Sequence, residues 1–71
     1  MPTAEHPPPG VLGAAPADAP LVLVVEDHDE LRRYLVEILA PTYRVLEAPD
    51  GQVGLERALD TVPDLVLSDV M

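Results

Sequence analysis

Three carboxylates stand where this chain could do chemistry. Glu26 and Asp27 close the apolar run "LVLVV" (Leu21 to Val25), and Asp69 closes the run "LVLS" (Leu65 to Ser68). If these runs are neighbouring strands, their ends bring the three acids together. Like charges at close range are unfavourable unless a cation sits among them or one of them takes a proton. The donors are oxygens only, since the chain has no cysteine and no histidine at a matching position. That set suits a hard ion such as Mg²⁺. Mg²⁺ is typically held by one or two carboxylates together with phosphate oxygens and water, so such a site handles phosphate. An aspartate can also be the nucleophile, taking a phosphoryl group as an acyl phosphate. Asp69 is the candidate, alone at the tip of its run, with the Glu26–Asp27 pair holding the ion opposite it.

Each residue also has a plainer explanation. "DHDE" sets Glu30 three residues after Asp27, a capping-box spacing, so Asp27 taken alone reads equally well as a helix cap. Glu26 alone would be a solvated acid and Asp69 a turn acid. His28 is expected to be exposed at a helix start and not to be a phosphodonor. Arg32 and Arg33 read as a solvated helix face, with Glu37 four residues beyond Arg33 to offset charge. Tyr34 reads as core or near-core packing.

The elements that must position these acids follow from periodicity. "LVLVV" follows a proline and suits a strand covered on both faces. In "EDHDELRRYLVEILA", Leu31, Tyr34, Leu35, Ile38 and Leu39 share one face of a helix that Pro41 ends. "YRVLEA" (Tyr43 to Ala48) reads as a shorter, more polar edge strand, and "PDG" (Pro49 to Gly51) as a turn. In "QVGLERALDTV", Leu55, Ala58, Leu59 and Val62 again recur with helical spacing, weakened by Gly54 at a cost of roughly 1 kcal/mol against alanine. Pro63-Asp64 turns the chain into "LVLS". The order β-α-β-α-β implies parallel neighbours with right-handed crossovers. In open sheets of this type ligands bind at the carboxyl ends of the strands, near a switch in strand order.

Composition narrows the function classes. Residues 1–20 hold six of the nine prolines and no lysine or arginine. They are expected to be a disordered Pro/Ala-rich linker, with "HPPPG" as a weaker case for a proline-rich ligand. A secretory signal is not expected there, for want of a charged start and an unbroken apolar run. Residues 21–71 form the expected domain, of a size that buries only ~60% of its unfolded surface. Without cysteine, disulfides and thiolate metal sites are excluded. A net charge of −9, from thirteen acids against four arginines, argues against nucleic-acid contacts by this segment. No apolar run approaches membrane-spanning length, and the expected location is cytoplasmic.

With these residues in view, Leu21 to Met71 resembles the N-terminal half of a response-regulator receiver domain. The resemblance rests on the acidic pair closing the first strand, "DG" after the second, and "PDLVLSDVM" at the third. Its "VVED", "LRRYL" and "YRVLEA" are most similar to receivers of hybrid sensor histidine kinases. The resemblance implies a partial doubly wound parallel α/β sheet (flavodoxin-like), with the first strand between the second and third and the fold truncated after the third. It also implies a two-component phosphorelay role. Asp69 would accept phosphate from a histidine kinase and would itself ligate Mg²⁺; Asp27 would bind the ion directly and Glu26 directly or through water. The backbone carbonyl of Met71 matches the family's third protein ligand. Glu26 stands where many members have Asp. The family's later Ser or Thr, Lys and aromatic switch residue have no counterpart here, and the chain has no lysine at all.

The resemblance thus implies a regulatory phosphoacceptor that is not a metabolic enzyme. An inactive receiver fragment that at most self-associates through an exposed strand edge is the alternative. A Mg²⁺-dependent phosphatase with an aspartyl nucleophile is a third reading, disfavoured because Met71 stands where such enzymes usually carry a second acid.

Overall fold

The computed structural model describes residues 15–68. The chain runs β1 (Leu21–Val25), α1 (Asp29–Leu39), β2 (Arg44–Ala48), α2 (Gly51–Thr61) and β3 (Leu65–Ser68). The three strands form one parallel sheet in the order β2-β1-β3. The expected α/β architecture and element order are therefore what the chain adopts. Part of the 1–20 linker, together with Asp69 and Met71, lies outside the described residues.

β1 is the centre of the structure. It pairs with β2 from Leu21↔Arg44 to Val25↔Ala48, and with β3 from Val22↔Leu65 to Val25↔Ser68. Side chains alternate across a strand, and the core divides accordingly. Leu21 and Leu23 join Leu46 and Ala48 on one face, where Val53 and Ala58 of α2 pack against them. Val22 and Val24 join Val45 and Val36 on the other, where Leu35 and Leu39 of α1 close the layer. The helices thus lie on opposite faces of the sheet.

The helix ends have local causes. The N-cap of α1 is His28, not Asp27: the Leu31 N–H donates to His28 Nδ1 at 3.2 Å. Asp29 and Glu30 fill the first turn, where carboxylates favour the helix dipole. Asp50 caps α2, its Oδ1 accepting from the Val53 N–H at 2.9 Å. α2 ends on Val62 at φ 51°, a left-handed conformation that usually falls to glycine. Gly54 has a packing reason: a Cβ there would lie 2.7 Å from Val25 Cγ2. Its lack of a side chain lets α2 approach β1, which offsets the weaker helix propensity.

The buried helix faces differ from those the periodicity suggests. Tyr34 is 60% exposed and is not core; Leu31 and Ile38 are exposed too, and Val36 is the buried residue of α1. On α2, Leu55, Leu59 and Val62 stand in solvent while Gly54 is buried and Val53 and Ala58 pack on the sheet. Apolar spacing marks a stripe, but the sheet under it sets which edge of the stripe is covered. Both helices lie over β1 and β2, so the outer rows of each stripe overhang.

Ahead of β1, the Ala19 N–H donates to Pro16 O, and Ala19 is buried. Arg44 binds this turn twice, its N–H to Pro20 O at 3.0 Å and its Nε to Ala19 O at 2.8 Å.

Candidate functional site

The carboxyl end of β1 runs into a short, cross-braced turn. Glu26 follows the strand, and its N–H continues the ladder to Ala48 O at 3.1 Å. Its side chain then folds back, with Oε2 accepting from the His28 N–H at 3.0 Å. Glu26 is 7% exposed, the one buried polar or charged residue among those described. One oxygen of this expected ligand is thus already committed to shaping the turn.

Asp27 differs in each respect. It is exposed, does not cap α1, and makes no hydrogen bond to a described residue. No described residue competes with a ligand for its carboxylate. The capping explanation for Asp27 therefore falls away, and His28 takes that role.

Arg32 is the residue that sequence reasoning missed. Its side chain is only 15% exposed, where a solvated helix face was expected. Nη1 donates to Glu26 O at 2.7 Å, Nε to Glu47 Oε1 at 2.9 Å, and Nη2 to Asp29 Oδ1 at 2.6 Å. One guanidinium thus ties together the end of β1, the first turn of α1, and β2. The hydrogen bonds it donates to Glu47 and then to Asp29 raise its pKa above the ordinary arginine value. Asp29, three residues away on the same helix, is a partner that local spacing can reveal; Glu47, fifteen residues away on β2, is not.

Among the described residues no group of three or more His, Cys, Asp or Glu side chains could hold a metal ion. Glu26 and Asp27 supply oxygen donors of the type Mg²⁺ prefers, one exposed carboxylate beside one half-committed. They fit such an ion as part of a larger ligand set. No described helix is long and apolar enough to cross a membrane.

A parallel β-α-β-α-β unit whose central strand ends in an acidic pair defines a broad class of α/β modules. Comparison with known proteins narrows it. The chain is 44% identical over 52 residues to hybrid signal transduction histidine kinase D of Dictyostelium discoideum, covering 73% of this chain and 3% of that protein. It is 40% identical over 55 residues to sensor histidine kinase TmoS of Ectopseudomonas mendocina, covering 78% of this chain and 6% of the kinase. It is 41% identical over 51 residues to response regulator ArlR of Staphylococcus aureus, covering 70% of this chain and 23% of the regulator. No protein-family model matches the chain, and no solved structure matches it. The chain is thus a homologue of two-component histidine kinases and response regulators, and it carries a partial receiver domain.

Proposed function

We propose that this unit is a phosphoacceptor module of two-component signalling. Asp69 takes a phosphoryl group from the phosphohistidine of a histidine kinase. Asp27 binds Mg²⁺ directly, Glu26 reaches it directly or through water, and the Met71 backbone carbonyl serves as a further ligand. The observation that carries this reading is the register of the β1–β3 pair, which sets Val25 beside Ser68. Glu26 is the next residue after Val25, and Asp69 the next after Ser68. One peptide step is ~3.8 Å, and the two strand ends that lead to these acids, Val25 and Ser68, sit side by side. The exposure of Asp27 supports a ligand role, and the bond that the His28 N–H donates to Glu26 Oε2 favours the water-mediated arm for Glu26.

In the transfer, an Asp69 carboxylate oxygen forms the new P–O bond as the P–N bond to the donor imidazole breaks. The released imidazole nitrogen takes up a proton. Mg²⁺ would supply neutralisation of charge on the phosphoryl oxygens. The chain's own residues orient that ion and carry the group. The role is regulatory, with the phosphoryl group as the signal, and the relatives' names point to a kinase as its source.

The test is phosphorylation of the full chain by acetyl phosphate and by a phosphorylated histidine kinase, followed by intact mass. Addition of one phosphoryl group is expected, labile to hydroxylamine and abolished by EDTA or by Asp69→Asn. Label that persists in Asp69→Asn, or a folded chain that accepts nothing from either donor, overturns the reading.

A further inference from the structure

Glu26 is held at three points: its N–H by Ala48 O, its Oε2 by the His28 N–H, and its carbonyl by Arg32 Nη1. The first two belong to the local backbone path. The third is a side-chain decision, made from one turn into α1. The guanidinium that makes it is anchored on its other nitrogens by Glu47 from β2 and Asp29 from α1. Glu47 pairs with Val24 in the β1–β2 ladder, so one anchor of the fork belongs to the sheet itself.

We infer that Arg32 is the positioning residue for the acidic turn: it fixes the Glu26 carbonyl and thereby sets where the exposed Asp27 carboxylate stands. This rests on the metal role proposed for Asp27. A turn that presents a carboxylate to an ion loses affinity if the carboxylate wanders, and Arg32 restricts the peptide immediately before it. The bonds need nitrogens that diverge in one plane toward three acceptors. Arginine presents donors in such a rigid fork, while a lysine ammonium is a single point of charge.

Positioning and bare charge predict opposite signs, which makes the inference testable. If Arg32 acted only as a cation among acids, removing its charge would deepen the negative potential at Asp27 and tighten divalent-ion binding. A charge-only role would also be rescued by Arg32→Lys. If Arg32 positions the turn, Arg32→Lys and Arg32→Gln both weaken binding. The expected loss is about 10-fold to 100-fold, the usual effect of removing an outer partner of a metal site.

The experiment uses the full chain, with Mn²⁺ as the probe ion followed by electron paramagnetic resonance, alongside hydrogen exchange of the His28 amide without metal. Weaker Mn²⁺ binding in both variants, with faster His28 exchange, is the expected result. Tighter Mn²⁺ binding in Arg32→Gln, or wild-type affinity in Arg32→Lys, overturns the inference. Should the unsubstituted chain bind no Mn²⁺, the metal reading fails on its own; faster His28 exchange in Arg32→Lys then sustains the positioning role and unchanged exchange ends it. Where Arg32 variants do not fold, Glu47→Gln serves instead, because it loosens one anchor without touching the turn. It should weaken Mn²⁺ binding in the same direction by a smaller factor, and unchanged or tighter binding there also overturns the inference.

Discussion

β1 and β3 are nearly the same sequence in opposite surroundings. "LVLVV" and "LVLS" share their first three residues. In β1 those residues, Leu21, Val22 and Leu23, are between 0% and 4% exposed, whereas Leu65, Val66 and Leu67 of β3 are between 36% and 53% exposed. Among the described residues β1 has a strand on each side and a helix on each face, β3 has one neighbouring strand, and both helices lie over β1 and β2. An apolar run therefore says that a strand is suited to burial on both faces, and the neighbours decide whether it is buried. It follows that equal substitutions in the two strands should have unequal effects.

The largest effect is expected from Leu23→Ala set against Leu67→Ala. Leu23 is fully buried between β1's neighbours and α2, so its truncation should cost about 2–5 kcal/mol. In a domain this small that is enough to unfold it. Leu67, with 36% exposure, should cost about 1 kcal/mol. Urea unfolding followed by circular dichroism measures both, and equal losses would mean that β3 is as closely packed as β1.

Gly54 gives a finer contrast, within the closed region. A Cβ on Gly54 would meet Val25 Cγ2 at 2.7 Å, while one on Gly51 meets nothing within 4 Å. Gly54→Ala gains roughly 1 kcal/mol of helix propensity but forces α2 off β1, at about 1–3 kcal/mol. A small net loss is expected. Gly51→Ala should be neutral or stabilising. If Gly54→Ala raises the melting temperature, α2 does not lean on β1 through that contact.

These contrasts show which features are legible in the sequence. The order of elements was, because strands and helices have different periods and Pro41, Pro49 and Pro63 mark the breaks. The place of Glu26 and Asp27 was also legible, since acids directly after an apolar run fall at the strand's carboxyl end. The covered half of each helix was not: Tyr34 and Leu35 are neighbours on one stripe, yet only Leu35 packs on the sheet. Arg32 was hidden for a related reason. Its fork depends on Glu47, and the α1–β2 packing that brings the two together is not written in local spacing. His28 displaced Asp27 as the cap because its Nδ1 reaches the Leu31 N–H, while the turn hydrogen-bonded to Glu26 and Arg32 leaves Asp27 outside.

The smallest expected effect is also the one that best locates the boundary between the closed and open regions. Asp64 stands just before β3 and grips the first residue of β1 twice. The Leu21 N–H donates to Asp64 Oδ2 at 2.7 Å, and the Asp64 N–H donates to Leu21 O at 2.8 Å. The backbone bond continues the β1–β3 ladder, while the carboxylate adds a charge-assisted bond at its open end. Because Asp64 is exposed, the carboxylate bond should contribute no more than about 1 kcal/mol, and Asp64→Asn, which keeps an acceptor, should lose less than Asp64→Ala. The location of the loss is the sharper readout. With helices over β1 and β2 only, β3 should open as a unit before the rest, so Asp64→Ala should speed amide exchange in Leu65 to Ser68 while leaving Arg44 to Ala48 unchanged. Exchange that rises equally in β2 and β3 would mean the sheet opens as one body, and the difference in burial between its strands would then not be a difference in local stability.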